Sequence, residues 1–336
     1  MCNQIGILDG MKKEACLNGC LYANSEFVES NSSVIIFIAG KAFKILKENG
    51  RGIDCSTVLS RVALLQEELR INSEISPDLY LGVMPIFCQQ ARIFIGGEGS
   101  EPIEYALCMK RIGDGSLVYR LLSGGVYHSN HSVLIARKLA AFHASKLSGK
   151  LNEEDRRLVE EFGSVESFGK VVQKDFEMFT ALKQDIIPAT IMEEMYQEIK
   201  RYITGFMSAE SRLFEERRKK GFIVPIHGDF HSRNIFVEYG IVYAIDRSLK
   251  RQMRVGDTVK DLAYFAVDLE ATGHGWQKKF FFDEYHRFVE DAYFDRLLPF
   301  LMCRQAFVAG LVSFSAGDIE YSRKCFEIAY GYAIRG

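Results

Sequence analysis

Asp229 and Asp246 frame the stretch IHGDFHSRNIFVEYGIVYAID at residues 226 to 246. His227-Gly228-Asp229 follows an apolar lead-in, and Asn234 stands five positions after the first aspartate. An apolar strand, a Tyr239-Gly240 turn and a second apolar strand end on Asp246. Phosphoryl transfer to an alcohol needs a carboxylate to orient the hydroxyl and take its proton. It also needs an amide oxygen and a second carboxylate to hold Mg²⁺ on the nucleotide phosphates. An Asp-x4-Asn loop feeding a hairpin that ends in Asp supplies all three. Asp229 is then the candidate base, and Asn234 and Asp246, both hard oxygen donors, are the candidate Mg²⁺ ligands. The plainer readings are a turn aspartate, a turn asparagine bonding its own backbone and a strand-end cap.

The same chemistry asks for a cation on the nucleotide phosphates, fixed by a helix glutamate. Ala42-Phe43-Lys44-Ile45 buries a lysine in an apolar strand, where an unpaired charge is costly. Lys44 is the candidate, with Lys47 the alternative and an edge-strand solubility lysine the plain reading. On the helix that follows, Glu67 and Glu68 compete for the partner's place. Glu68 is preferred because Ile71 and Ile75 fall on roughly its face. His227 and His231 lack the partners of a zinc site, and His143 reads as a core histidine. Asp257 and Asp261 read as helix caps or as braces of the loop.

Strands near 34 to 38 and 41 to 46 around Ala39-Gly40 make a hairpin. Residues 55 to 75 have helical spacing. Further strands are expected at 80 to 86, 92 to 95 and 104 to 112. Beyond Gly113-Asp114-Gly115 the pattern is helical: 131 to 147, then 154 to 162, 174 to 184 and one long helix over 191 to 220. Strands at 223 to 246 interrupt it, and helices resume near 259. The expected fold is α+β and bilobal, with a small strand-rich lobe over 1–112 for nucleotide and a larger helical lobe over 113–336. The second lobe would carry the catalytic loop and the acceptor site, with nucleotide in the cleft between the lobes.

The 336 residues are 48% hydrophobic and 26% charged, ordinary for a globular enzyme. A formal net charge of −2 gives no motive for nucleic acid or an anionic membrane as partner. No apolar run was expected to reach the roughly 18 residues of a bilayer span. The first residues do not read as a secretory signal, so a cytoplasmic setting is expected. The eight cysteines are scattered, which favours reduced thiols over zinc or disulfides.

These residues resemble the aminoglycoside phosphotransferase and choline kinase superfamily, whose fold is protein-kinase-like. HGDFHSRN with AID matches its His-Gly-Asp-x4-Asn loop and Ile-Asp hairpin end. FIAGKAFKILK, QEELRINSEISPDLYLGVMPI, EYALCMKRI, RKLAAFHASKL and GDTVKDLAYFAVDLEATG are similar to a branch often fused to a P-loop ATPase domain. No GxxxxGK[ST] occurs in this chain, so that domain is not expected. The resemblance implies that Met109 is the residue before the hinge. It also implies that the carbonyl of Lys110 and the amide of Ile112 contact adenine. Two positions depart from the pattern: Leu249 stands where an acidic residue is common, and Arg247 directly follows Asp246. Arg247 could pair with Asp246 and weaken metal binding, or contact a phosphate.

The sequence therefore implies a kinase using ATP or GTP with Mg²⁺. The acceptor would be a hydroxyl of a small polar molecule such as a sugar, amino sugar or aminoglycoside. Residues 150 to 220 and the C-terminal helices would set the acceptor. The acidic run Glu153, Glu154, Asp155, Glu160 and Glu161 would either attract a cationic acceptor or be a solvated helix face. A nucleotide-binding regulatory pseudokinase is the alternative. A protein kinase ranks below it, since no Ala-Pro-Glu segment follows Asp246.

Overall fold

Alternation along residues 33 to 46 sends Val34, Ile36, Ile38, Phe43 and Ile45 to one face of a pleated hairpin. Lys44 and Leu46 take the other. In the computed structural model of the chain, the described residues are 4–17, 20–48, 53–89, 92–97, 101–147, 149, 151–182 and 189–336. Cys2 and part of the 150 to 220 segment, residues 183–188, lie outside them.

The first elements are α1 (Gln4–Lys13), β1 (Glu14–Leu17), β2 (Cys20–Ala23), β3 (Phe27–Glu29), β4 (Ser33–Ile38) and β5 (Lys41–Leu46). Next come α2 (Val58–Ser73), β6 (Tyr80–Gln89), β7 (Arg92–Ile95) and β8 (Glu104–Lys110). The eight strands form one sheet in the order β2-β1-β7-β6-β8-β5-β4-β3. Its neighbours are antiparallel except β1 and β7. The β4–β5 turn places Ala39 at φ 50° and Gly40 at φ 71°, the mirror-image turn that matches strand twist.

Ile7, Leu8 and Met11 of α1 pack with Val34, Ile36, Phe43, Ile45 and Ile95. Leu65 of α2 packs with Leu46, Leu79, Tyr80 and Leu107, joined by Tyr243 and Ile245 from far along the chain. Thr57 starts α2 with a capping box closed by Ser60. The segment α1 to β3 was not foreseen, because its strands are short and mostly exposed at the sheet's margin.

The helical part holds α3 (Val118–Ser123), α4 (Ser129–Leu147), α5 (Glu153–Phe162), α6 (Val165–Leu182), α7 (Ala189–Ala209) and α8 (Ser211–Lys219). The expected long helix over 191 to 220 is broken at Glu210, whose φ of −102° and ψ of 20° leave the helical region. Four short strands follow: β9 (Ile223–Pro225), β10 (Ile235–Glu238), β11 (Ile241–Ala244) and β12 (Val255–Asp257). β10 pairs with β11, and β9 with β12. The chain ends in α9 (Val259–Ala271), α10 (Lys278–His286), α11 (Phe294–Ser315) and α12 (Ile319–Ala333).

By length and composition α11 is apolar enough to cross a membrane, against the reading of the sequence. Most of it is buried in this fold, and Arg304 within it pairs with Asp175 at 2.6 Å. It is the core helix of the helical unit. The seven described cysteines are free thiols.

The chain divides into two compact units. One is Met1–Gly113 with Tyr243–Leu249; the other is Asp114–Val242 with Lys250–Gly336. The fold is thus α+β, a strand-rich N-terminal part and a larger helical part.

Arg217 of α8 is fully buried and holds two carboxylates. It forks onto Asp257 and reaches both oxygens of Asp291 at 2.7 and 2.8 Å. Arg217→Ala leaves two buried carboxylates unpaired, so unfolding stability should fall by about 3–5 kcal/mol. Urea denaturation measures it; a loss under about 1 kcal/mol, the range of an exposed pair, would contradict this account.

Candidate active site

Lys44 stands on the α2 face of β5, and its Nζ lies 2.6 Å from Glu68 Oε1 and 2.9 Å from Asp246 Oδ1. The three belong to the first unit. Side-chain exposure separates the two carboxylates: 3% for Glu68 and 48% for Asp246, with Lys44 at 13%. Burial works against the lysine's charge, but Asp246 and then Glu68 outweigh it and hold the amine well above its ordinary value. Burial pushes Glu68 above the usual carboxylate range, with Lys44 opposing. The 2.6 Å contact decides for the charged pair, since a buried ammonium without a counter-charge is the costlier state. Glu68 Oε2 is buried without a hydrogen-bond partner.

The competing residues go elsewhere. Lys47 is held by Glu29 at 2.7 Å and by the carbonyl of Ser30. Glu67 is forked by Arg70 at 2.8 and 2.9 Å on the outer side of α2. Ile71 and Ile75, buried on the face of Glu68, account for the difference.

Asp246 adopts φ 55°, a left-handed conformation that aspartate tolerates better than most residues. The end of α2 holds the backbone around it. Asn72 Oδ1 accepts from the Arg247 N–H at 2.9 Å. Ser76 Oγ accepts from the Ala244 N–H and donates to its carbonyl. The Arg247 guanidinium is buried against Glu74 at 2.8 Å and the carbonyl of Ile71 at 3.1 Å. The sequence offers Arg247 either a pairing with Asp246 or a phosphate contact; in the structure its guanidinium engages the C-terminal turn of α2. Tyr80 joins this group, its hydroxyl raised well above its ordinary value by burial and by Asp246 and Glu68. Asn72, Glu74, Ser76 and Tyr80 lie in the stretch QEELRINSEISPDLYLGVMPI that carries part of the resemblance, but sequence reasoning assigned them no role.

Met109 and Lys110 end β8, and Ile112 follows; Met109 and Ile112 pack against the α2-side core. The Lys110 N–H is bound to Leu79 O at 2.9 Å and the Arg111 N–H to Gly40 O at 3.0 Å.

In the second unit, Asp261 of α9 accepts from the backbone N–H groups of His227 at 2.7 Å and Gly228 at 2.9 Å. His143 of α4 lies 3.2 Å from the same carboxylate, and its other nitrogen meets the Tyr285 hydroxyl at 2.8 Å. Burial opposes the Asp261 charge, but His143, His227 and the Gly228 amide outweigh it and lower its pKa. Gly228 has φ 83°, and a Cβ there would meet Met253 O at 2.3 Å, so the turn requires glycine. Asp268, also on α9 and absent from the sequence reading, accepts from the Ser232 N–H and the Tyr321 hydroxyl.

Within this loop Asn234 Nδ2 donates to Asp229 O at 3.1 Å and Oδ2 at 3.2 Å. His231 Nδ1 accepts from the Arg233 N–H at 3.3 Å, which leaves Nε2 to face Asp229 Oδ1 at 3.4 Å. Asp229 keeps 42% of its side chain exposed. Burial of its base opposes ionisation, but His231, His227 and Asn234 outweigh it and lower its pKa. Burial lowers His231, and Asp229 with Asp268 more than reverses that, leaving it raised. Among the described residues no three His, Cys, Asp or Glu side chains are gathered to hold a metal.

The Ecdysteroid kinase-like family model matches residues 125–287, just under half of the chain. No curated protein matches. Among solved structures, an ethanolamine kinase of Plasmodium vivax is 14% identical with a TM-score of 0.53, over 90% of this chain and 81% of that one. A choline kinase from Cryptosporidium parvum is 11% identical with a TM-score of 0.53, over 93% and 88%. The GDP and kanamycin complex of APH(2")-IIia is 12% identical with a TM-score of 0.51, over 93% of both chains. The fold is that of the protein-kinase-like superfamily of choline kinases and aminoglycoside phosphotransferases, the one its motifs resemble.

The Asp229–His231 pair sets a pH window. A raised His231 stabilises fully below its unfolded value of about 6.5 and loses this as pH rises through the folded value. A lowered Asp229 stabilises above about 3.9 and loses this as pH falls through its folded value. Both contributions are present between about pH 4 and 6.5. An NMR titration of the His231 ring should give a midpoint above the ordinary value, dropping in Asp229→Asn; an unchanged midpoint would contradict the pairing.

Proposed function

We propose that the protein is a nucleotide-dependent phosphotransferase acting on a hydroxyl of a small molecule. The observation that carries this reading is the Lys44 ammonium, buried between Glu68 and Asp246 in a chain with this fold. Lys44 neutralises nucleotide phosphates, and Glu68 keeps it charged and in place. The superfamily structures above include a GDP complex, which supports nucleotide as the donor and leaves ATP and GTP as alternatives. Met109, Lys110 and Ile112 receive the base; the Ile112 amide makes no backbone hydrogen bond among the described residues.

Asp229 acts as base. Asn234 and His231 fix one oxygen each, and its lowered pKa keeps it ionised at neutral pH. It accepts the hydroxyl proton as the oxygen attacks the γ-phosphorus and the bond from that phosphorus to the β–γ bridging oxygen breaks, the nucleoside diphosphate leaving with the bond's electron pair. Each candidate ligand suits Mg²⁺ by its chemistry alone: Asp246 offers an exposed carboxylate, and Asn234, its amide nitrogen turned to Asp229, offers a hard oxygen. When bound, the ion would screen phosphate charge. Reduced thiols suit a cytoplasmic setting. The pseudokinase alternative draws on Leu249 and Arg247; the Arg247 charge is engaged by Glu74, which leaves Leu249 as its support against the retained Asp229, Asn234, Asp246 and Lys44.

Asp229→Ala should abolish phosphoryl transfer, by at least about 100-fold in kcat, while nucleotide binding persists. Asp246→Ala should instead remove the Mg²⁺-dependent part of the thermal shift given by ATP or GTP. Turnover surviving in Asp229→Ala, measured against pooled sugars, aminoglycosides and amino alcohols, would overturn the assignment of the base.

A further inference from the structure

The helical unit contains a cavity between α6, α8, β12, α9 and α11. Phe162, Val165, Phe168, Phe214, Leu297 and Leu301 make an apolar wall. Three charged side chains break it: Lys260, Arg304 and Asp257. Asp257 is committed to Arg217. The two cations are not matched in the same way. Arg304 is 1% exposed, gives Nη2 to Asp175 at 2.6 Å and Nη1 to Gln305, and stacks on Phe168. Its Nε is buried with no hydrogen-bond partner. Lys260 is 6% exposed, and among the described residues its Nζ donates only to a carbonyl, Met253 O at 3.3 Å. Burial, then the charge of Arg304, brings its ammonium down to about 8, with Asp261, Asp175 and Asp229 opposing.

In this apolar chamber Arg304 and Asp257 already have counter-charges in Asp175 and Arg217 while Lys260 has none among the described residues, so the chamber is a poor host for an amine. Buried charges want a counter-charge or full hydrogen bonding. The cavity also adjoins the loop of Asp229. Its wall strand β12 pairs with β9, which leads into His227-Gly228-Asp229, and Met253 O packs on Gly228.

We infer that this cavity binds a molecule with an apolar body and an acidic group, the carboxylate or a similar anion meeting Lys260 and the Arg304 Nε–H. Taking this molecule as the phosphoryl acceptor rests on the function proposed above; its binding does not. The inference replaces the cationic acceptor suggested by the acidic run. Glu153 pairs with Arg157, Asp155 with Lys146 and Glu161 with Arg251, so those charges serve helix α5 and its surroundings.

The test uses three probes that share a ring and a hydroxyl and differ at one end: hydroxyphenylpropionate, ethylphenol and tyramine. Calorimetry on the full chain should find the carboxylate tightest, by about tenfold over ethylphenol, and tyramine weakest. Lys260→Met should erase the advantage of the carboxylate while ethylphenol binding persists; Lys260→Gln serves if the first variant folds poorly. Equal affinities, or tyramine tightest, would overturn the inference. Probe order as expected with no ATP-dependent phosphorylation of the carboxylate would retain the binding site and overturn its acceptor role. Loss of turnover on every hydroxyl compound would count against the kinase reading instead.

Discussion

A buried amine must keep its proton or lose its purpose, and the first unit is arranged around keeping it on Lys44. The strand that carries Lys44 is apolar on both sides of it, so desolvation pulls the pKa down. Two carboxylates reverse that pull. Glu68 can serve because α2 packs its Leu65 and Ile71 face on the sheet and takes Glu68 inside with them. Asp246 can serve because Asn72, Ser76 and Glu74 at the end of the same helix hold the backbone on either side of it. One helix thus positions both partners of the amine. The partners differ in exposure, so Asp246 is the one able to leave Lys44 for another cation, which frees the ammonium for an anion, while Glu68 stays.

The loop of Asp229 obeys a second constraint of the same kind. Its backbone turns sharply at Gly228, and the amides released by that turn are buried. Asp261 accepts two of them, and His143 keeps that carboxylate ionised. Asp268 does the same for Ser232 farther along the loop. Both aspartates sit on α9, a helix buried almost all round, so the loop inherits the rigidity of the core. Asp229 is left as the carboxylate of this group whose side chain is substantially exposed, which is what proton transfer to and from a substrate demands.

The parts of this arrangement that obey short spacing rules were legible in the chain. The β4–β5 hairpin and the preference for Glu68 over Glu67 follow from periodicity or from neighbours a few residues away, whereas Asp261 stays open between cap and brace until the fold brings it to His227 and Gly228. Other features depend on distant partners. Arg247 reads from sequence as a threat to Asp246 because the two are adjacent, and only the fold brings Glu74 to its guanidinium. Asn72, Ser76 and Tyr80 lie in a stretch that resembles the family branch, yet their roles are not legible there because those roles come from residues far along the chain. The break at Glu210 hid inside a strong helical pattern, since a single residue leaving the helical region costs the periodicity nothing. The apolar stretch of α11 likewise looks interrupted in sequence, yet its arginine is absorbed by Asp175 from another helix.

The central claim is that Glu68, and not its neighbour, holds Lys44 ready for phosphates. Calorimetric affinity for Mg²⁺·ATP in Glu68→Gln and Glu67→Gln tests it directly. Removing the charge from the buried member should weaken binding by about tenfold or more, whereas the change at Glu67, which is turned to Arg70 on the outer side of α2, should leave it unaltered. Equal effects in the two variants, or none in Glu68→Gln, would contradict the account.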